Sequence, residues 1–87
     1  MIEFRIWIRP TLPEAWHAAD GRDEDHVVRG CMNPQQAFKQ LLAEGKVKWD
    51  MIRDKHIAFV SQSKTGEPRG FDACVKLRGG IGIKEVK

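Results

Sequence analysis

In the opening run IEFRIWIR, Arg5, Trp7 and Arg9 recur at every second position, so a strand through them displays an indole between two guanidinium groups on one surface. Such a surface suits stacking. An open indole stacks on a base or on a partner's side chain while the flanking cations hold phosphates or carboxylates, and Trp with Arg is the usual composition of interface hot spots. Lys46, Lys48, Trp49, Arg53 and Lys55 form a second basic patch with one aromatic, and Arg69, Lys76 and Arg78 add further cations to the expected contact set. His56 follows this patch directly. An imidazole beside Arg53 and Lys55 could activate a 2′-hydroxyl and steady the charge of a phosphorane.

Other chemistry finds less support in the spacing. His17, His26 and Cys31 stand near Asp20 and Asp25, but they match neither a Cys-x-x-Cys pair nor a His-Glu-x-x-His helix, so no metal is expected. A nucleophilic thiol needs surroundings that favour the thiolate, whereas Cys31 lies beside Met32 and near acids, and Cys74 sits on its strand among Asp72 and Lys76. Gly79, Gly80 and Gly82 precede no helix-forming run that could cradle a phosphate, and a hairpin turn accounts for them. No cofactor is expected.

The elements that position these residues follow from periodicity and punctuation. Residues 2 to 9 alternate, with Ile2, Phe4, Ile6 and Ile8 facing a core and Glu3, Arg5, Trp7 and Arg9 facing away, which predicts a half-buried strand. Thr11 as N-cap, Pro13 in the first turn and Glu14 as capping-box partner open a short helix, with Leu12, Ala15, Trp16 and Ala19 as its inner stripe and Asp20-Gly21 as its stop. Residues 21 to 32 show no period, and the cluster Asp23, Glu24, Asp25 reads as a solvated loop. Asn33, Pro34 and Gln36 start a second helix with Ala37, Phe38, Leu41 and Leu42 inward and Gly45 as its stop. Strand-like runs KVKW, HIAFVSQ, RGFDACVKL and IGIKEV follow. The fold class expected is α+β, a small antiparallel or mixed sheet of four to five strands with both helices on one face, in the order β-α-α-β-β-β.

Length and charge bound the function. A chain of 87 residues forms a single compact domain over 1–87 and can hardly enclose a large cofactor. No apolar run approaches a bilayer span, the charged N-terminus is not a secretion signal, and two cysteines make no disulfide framework, so a cytoplasmic protein without membrane contact is expected. Residues 1 to 45 hold five Lys or Arg against seven Asp or Glu, and residues 46 to 87 hold ten against five. This localised positive charge favours anionic partners.

The run SKTGEPRGFDACVKL resembles the third-strand signature of RNA-recognition-motif domains at Arg69, Gly70 and Phe71, a likeness that implies base stacking on an open sheet face. It departs at Asp72 and Ala73, where that pattern has Gly or Ala and a second aromatic. The element order is similar to that of RelE/ParE-type bacterial toxins, which implies a ribonuclease relying on His56, Arg53 and Lys55. That likeness is one of topology alone. The leading expectation is a small non-enzymatic binding protein that covers a surface of a larger protein or nucleoprotein partner, an inhibitor or adaptor of phage or mobile-element type. A direct DNA- or RNA-binding domain and a toxin-like ribonuclease are the alternatives. The expected contact residues are Arg5, Trp7, Arg9, Lys46, Lys48, Arg53, Lys55, Arg69, Lys76 and Arg78.

Overall fold

The computed structural model describes residues 2–47, 56–75 and 80–86. They form β1 (Ile2–Arg9), α1 (Leu12–Ala19), β2 (His26–Cys31), α2 (Pro34–Ala43), β3 (His56–Ser63), β4 (Arg69–Val75) and β5 (Ile81–Val86). The strands make one five-stranded sheet in the order β2-β1-β3-β4-β5. Every neighbouring pair is antiparallel. The class is α+β, as the patterning predicts, with one strand more than expected between the helices. Lys46 and Val47 form a bend rather than the start of a KVKW strand, and Lys48 and Trp49 lie outside the described residues. No helix among the described residues is long and apolar enough to cross a membrane.

The helices start and stop where the capping residues dictate. Thr11 Oγ1 accepts the Glu14 backbone N–H at 3.4 Å and donates to Glu14 Oε1 at 2.8 Å, so the Thr11 hydroxyl caps the start of α1. Asn33 Oδ1 accepts the Gln36 N–H at 2.8 Å, while Gln36 Oε1 takes the Met32 N–H at 2.7 Å. At the other end of α2, Gly45 adopts φ +75°. Its N–H reaches Leu42 O at 3.1 Å and that of Lys46 reaches Leu41 O at 3.0 Å, a Schellman closure that a side-chain-bearing residue would strain.

The strand β2 escapes periodicity because of one glycine. Between the pairs Glu3 to Arg29 and Ile2 to Cys31 the register slips, leaving Gly30, at φ +83°, as an extra residue. This bulge turns Cys31 onto the face opposite Arg29, where it is 2% exposed and belongs to the main core. A regular strand would have put both on one side.

The two helices cover opposite faces of the sheet, which corrects the expectation that they share one. Phe4, Ile6 and Ile8 of β1 pack with Ala37, Phe38 and Leu41 of α2 and with Ile57, Phe59, Phe71 and Ala73 of β3 and β4. Trp7 and Val60, which point the other way, pack with Ala15 and Ala18 of α1. The physical reason lies in β3, buried continuously from Ile57 to Ser61. A strand apolar on both sides needs a cover on both sides. The α2 core is organised around three rings: Phe38 stacks on Phe59 at 4.4 Å between centroids, and Phe59 on Phe71 at 4.8 Å.

Phe59→Ala removes the middle ring of that stack and is expected to lower stability by about 3–5 kcal/mol in urea denaturation. Ser61, 1% exposed, has a hydroxyl with no hydrogen-bond partner among the described residues. Ser61→Ala is therefore expected to leave the thermal midpoint unchanged or higher, since it deletes an unsatisfied buried polar group.

Candidate contact surface

The alternation that puts Arg5, Trp7 and Arg9 on one side of β1 is observed, but that side is covered. Trp7 is 1% exposed. Its ring lies under α1, and its indole N–H donates to Arg22 O at 3.1 Å, so the residue is a core anchor and not an open stacking platform. The acidic segment after α1 binds the two arginines. Arg5 Nε and Nη2 donate to Glu24 Oε2 at 3.3 and 3.1 Å, and its guanidinium lies 4.9 Å from the centre of the Trp7 ring. Arg9 Nη1 donates to Asp25 Oδ2 at 2.6 Å and to Ile8 O at 2.6 Å. The Ile8 N–H donates to the same Asp25 oxygen at 2.8 Å.

The cluster expected as a solvated loop is thus partly a clamp. Glu24 and Asp25 hold down the side of β1 that the sequence presents as a contact face. The reason is electrostatic and geometric. The stop at Asp20-Gly21 reverses the chain, β2 returns alongside β1, and the acids between them arrive over the arginines. Hydrogen bonds to its own backbone N–H and to Arg5 hold the Glu24 carboxyl below the ordinary glutamate range.

The remaining expected contacts divide similarly. Lys46 pairs with Glu44 at 3.2 Å on the surface after α2. Glu44 is held below its ordinary range first by the Gln40 amide and then by Lys46. Arg69 makes a two-pronged pair with Glu85, at 2.7 and 2.6 Å, which raises the guanidinium further above its ordinary value. Lys48, Arg53, Lys55, Lys76 and Arg78 lie outside the described residues. Phe71, the aromatic of the RNA-recognition-motif likeness, is fully buried in the ring stack, and Gly70 lies beneath the Trp16 ring. No stacking face exists at those two positions.

What remains open lies elsewhere on the same side of the sheet. The helix α1 has eight residues, so it is about 12 Å long, and it lies against β1, β3 and β4. Cross-strand register places Trp7, Val60, Gly70 and Val86 in one row beneath it. Two steps along β4 comes Asp72 opposite Lys84, and two steps further Cys74 stands between His56 and Gly82. Ala58, the β3 member of the Asp72 row, is buried, but Asp72, Lys84, His56 and Cys74 are not. His56 Nε2 lies 3.4 Å from Asp72 Oδ1, and Lys84 and Cys74 are exposed. A shallow groove of about 300 Å³ runs among them. Trp16, 39% exposed, borders the strip from α1.

Sequence reasoning did not find this surface, because His56, Asp72 and Lys84 come from three strands and only register brings them together. Among the described residues no group of three or more His, Cys, Asp and Glu side chains is placed to hold a metal ion. A second groove, of about 370 Å³, lies between Arg9, Pro13, Glu14, His17 and Arg22 beside α1. Comparison with protein-family models, with curated proteins and with solved structures finds no match to this chain.

Asp25→Ala leaves the Ile8 N–H and the Arg9 guanidinium without their acceptor, and a loss of about 1–3 kcal/mol is expected in chemical denaturation. Because the folded Glu24 carboxyl is depressed, its contribution is complete above the unfolded glutamate value and is lost as pH falls through the folded one. Glu24→Gln is accordingly expected to flatten the acid limb of a stability-against-pH curve without altering its neutral plateau slope.

Proposed function

We propose that this chain is a small non-enzymatic binding protein that covers an acidic surface of a larger protein or nucleoprotein partner. The contact strip runs from Trp16 across β4 and β5. The observation that supports the reading most is the uncapped part of the α1 face. There the half-exposed Trp16 indole, the Lys84 ammonium and His56 share one face of the sheet, with Asp72 between Lys84 and His56, and exposed aromatics are enriched in interfaces. A flat strip suits contact with a broad partner better than enclosure of a substrate.

Charge favours an acidic partner. The excess of cations belongs to residues 46 to 87 and lies mostly in the segments that flank β3, β4 and β5, since within these strands Arg69 and Lys84 are matched by Asp72 and Glu85. Arg5, Arg9, Lys46 and Arg69 each have a carboxylate partner already, which leaves Lys84 as the cation of the strip with the best access.

Affinity purification from the native cell should recover one dominant acidic partner, whose dissociation constant is then measured by titration. Lys84→Glu is expected to weaken that complex about tenfold or more, and Lys64→Glu, in the turn between β3 and β4, less than twofold. Equal effects of the two changes would move the interface away from the strip. Tight, steeply salt-dependent binding to bare DNA or RNA would replace this reading with direct nucleic-acid recognition.

A further inference from the structure

Cys74 and His56 are far apart in sequence and directly opposed in the ladder between β3 and β4. Opposed residues of an antiparallel pair share a face, with Cβ atoms about 5 Å apart, so the thiol and the imidazole are neighbours. Asp72 Oδ1 sits 3.4 Å from His56 Nε2. This face therefore brings together a thiol, an imidazole and a carboxylate.

The β5 side completes the surroundings. Gly82 stands opposite Cys74 and has no side chain, so the approach to the sulfur is open there. Lys84 stands opposite Asp72 and so diagonally across the ladder from Cys74. The groove of about 300 Å³ has His56, Asp72, Cys74, Gly82 and Lys84 among its lining residues. Cys31 differs in every respect: it is 2% exposed, and its Sγ lies 3.1 Å from Gln40 Oε1 in the α2 core.

We propose that Cys74 is a thiol-modification site for small anionic disulfides, with His56 as proton acceptor and Lys84 as the charge that draws the reagent in. The Cys74 thiol passes its proton to His56, and the resulting thiolate attacks one sulfur of the disulfide. A new S–S bond forms to Cys74 as the reagent's own S–S bond breaks. The departing thiolate takes the proton back from His56 and leaves as a thiol. Cys74 is thereby oxidised to a mixed disulfide, and half of the reagent is reduced. The sequence neighbours of Cys74, Asp72 and Lys76, do not suggest this, because the base comes from another strand.

The test uses the full chain mixed with oxidised glutathione and followed by mass spectrometry, with peptide mapping to locate the adduct. One glutathione per chain on Cys74 and none on Cys31 is expected. Relative to the same chain unfolded in urea, the folded rate should be at least about tenfold higher, and His56→Ala should remove that advantage. Lys84→Ala should slow glutathione disulfide severalfold and leave neutral hydroxyethyl disulfide unaffected. These side chains are exposed, so unchanged circular dichroism and thermal midpoints show that the fold persists. A folded rate no higher than the unfolded one, or an unaltered rate in His56→Ala, overturns the proposal. Equal slowing of the neutral and anionic reagents by Lys84→Ala overturns the role given to Lys84.

Discussion

Burial of Trp7 is the constraint on which the remaining architecture rests. A strand with one apolar face needs one cover, but an indole inserted among the outward residues of β1 obliges the chain to cover the second face as well. The helix α1 supplies that cover with Ala15 and Ala18, whose small side chains let it approach the ring. Once α1 occupies this side, α2 takes the other, and β3 is buried on both. Two hydrogen-bonding consequences follow. The indole N–H must find an acceptor, which Arg22 O provides, and the arginines that flank Trp7 must find anions, which Glu24 and Asp25 provide.

The same constraint decides where contact with other molecules is feasible. An eight-residue helix reaches over about three strands at a strand spacing of about 4.8 Å, so it cannot cap all five. His56, Asp72, Cys74 and Lys84 are therefore left accessible together on one face of β3, β4 and β5. The cations that look most available along the chain, Arg5 and Arg9, are the ones occupied by the acids of the clamp. Partner contact and thiol chemistry are assigned to one surface because the shortness of α1 leaves it uncovered.

Local signals account for much of the fold. Thr11 with Glu14, Asn33 with Gln36, and Gly45 mark helix ends because capping depends on side chains a few residues apart. The alternation of Phe71 and Ala73 against Asp72 and Cys74 marks β4 for the same reason. The strand β2 is illegible because Gly30 breaks its period, and the acidic run before it resembles a solvated loop because its partners lie 16 to 19 positions earlier in the chain. The alternation of β1 puts Arg5, Trp7 and Arg9 on one side of the strand, yet the accessibility of that side depends on a helix whose docking no local pattern encodes.

By itself, then, the amino-acid order determined the α+β class, the two capped helices, the alternating strands and the concentration of positive charge in the second half, all properties of residues close in sequence. Only tertiary structure decided which faces the helices cover, that Trp7 is enclosed, and that His56, Asp72, Cys74 and Lys84 meet. Those outcomes depend on strand order and register, which follow from long-range packing of both sheet faces at once, and no window along the chain contains both partners of such contacts.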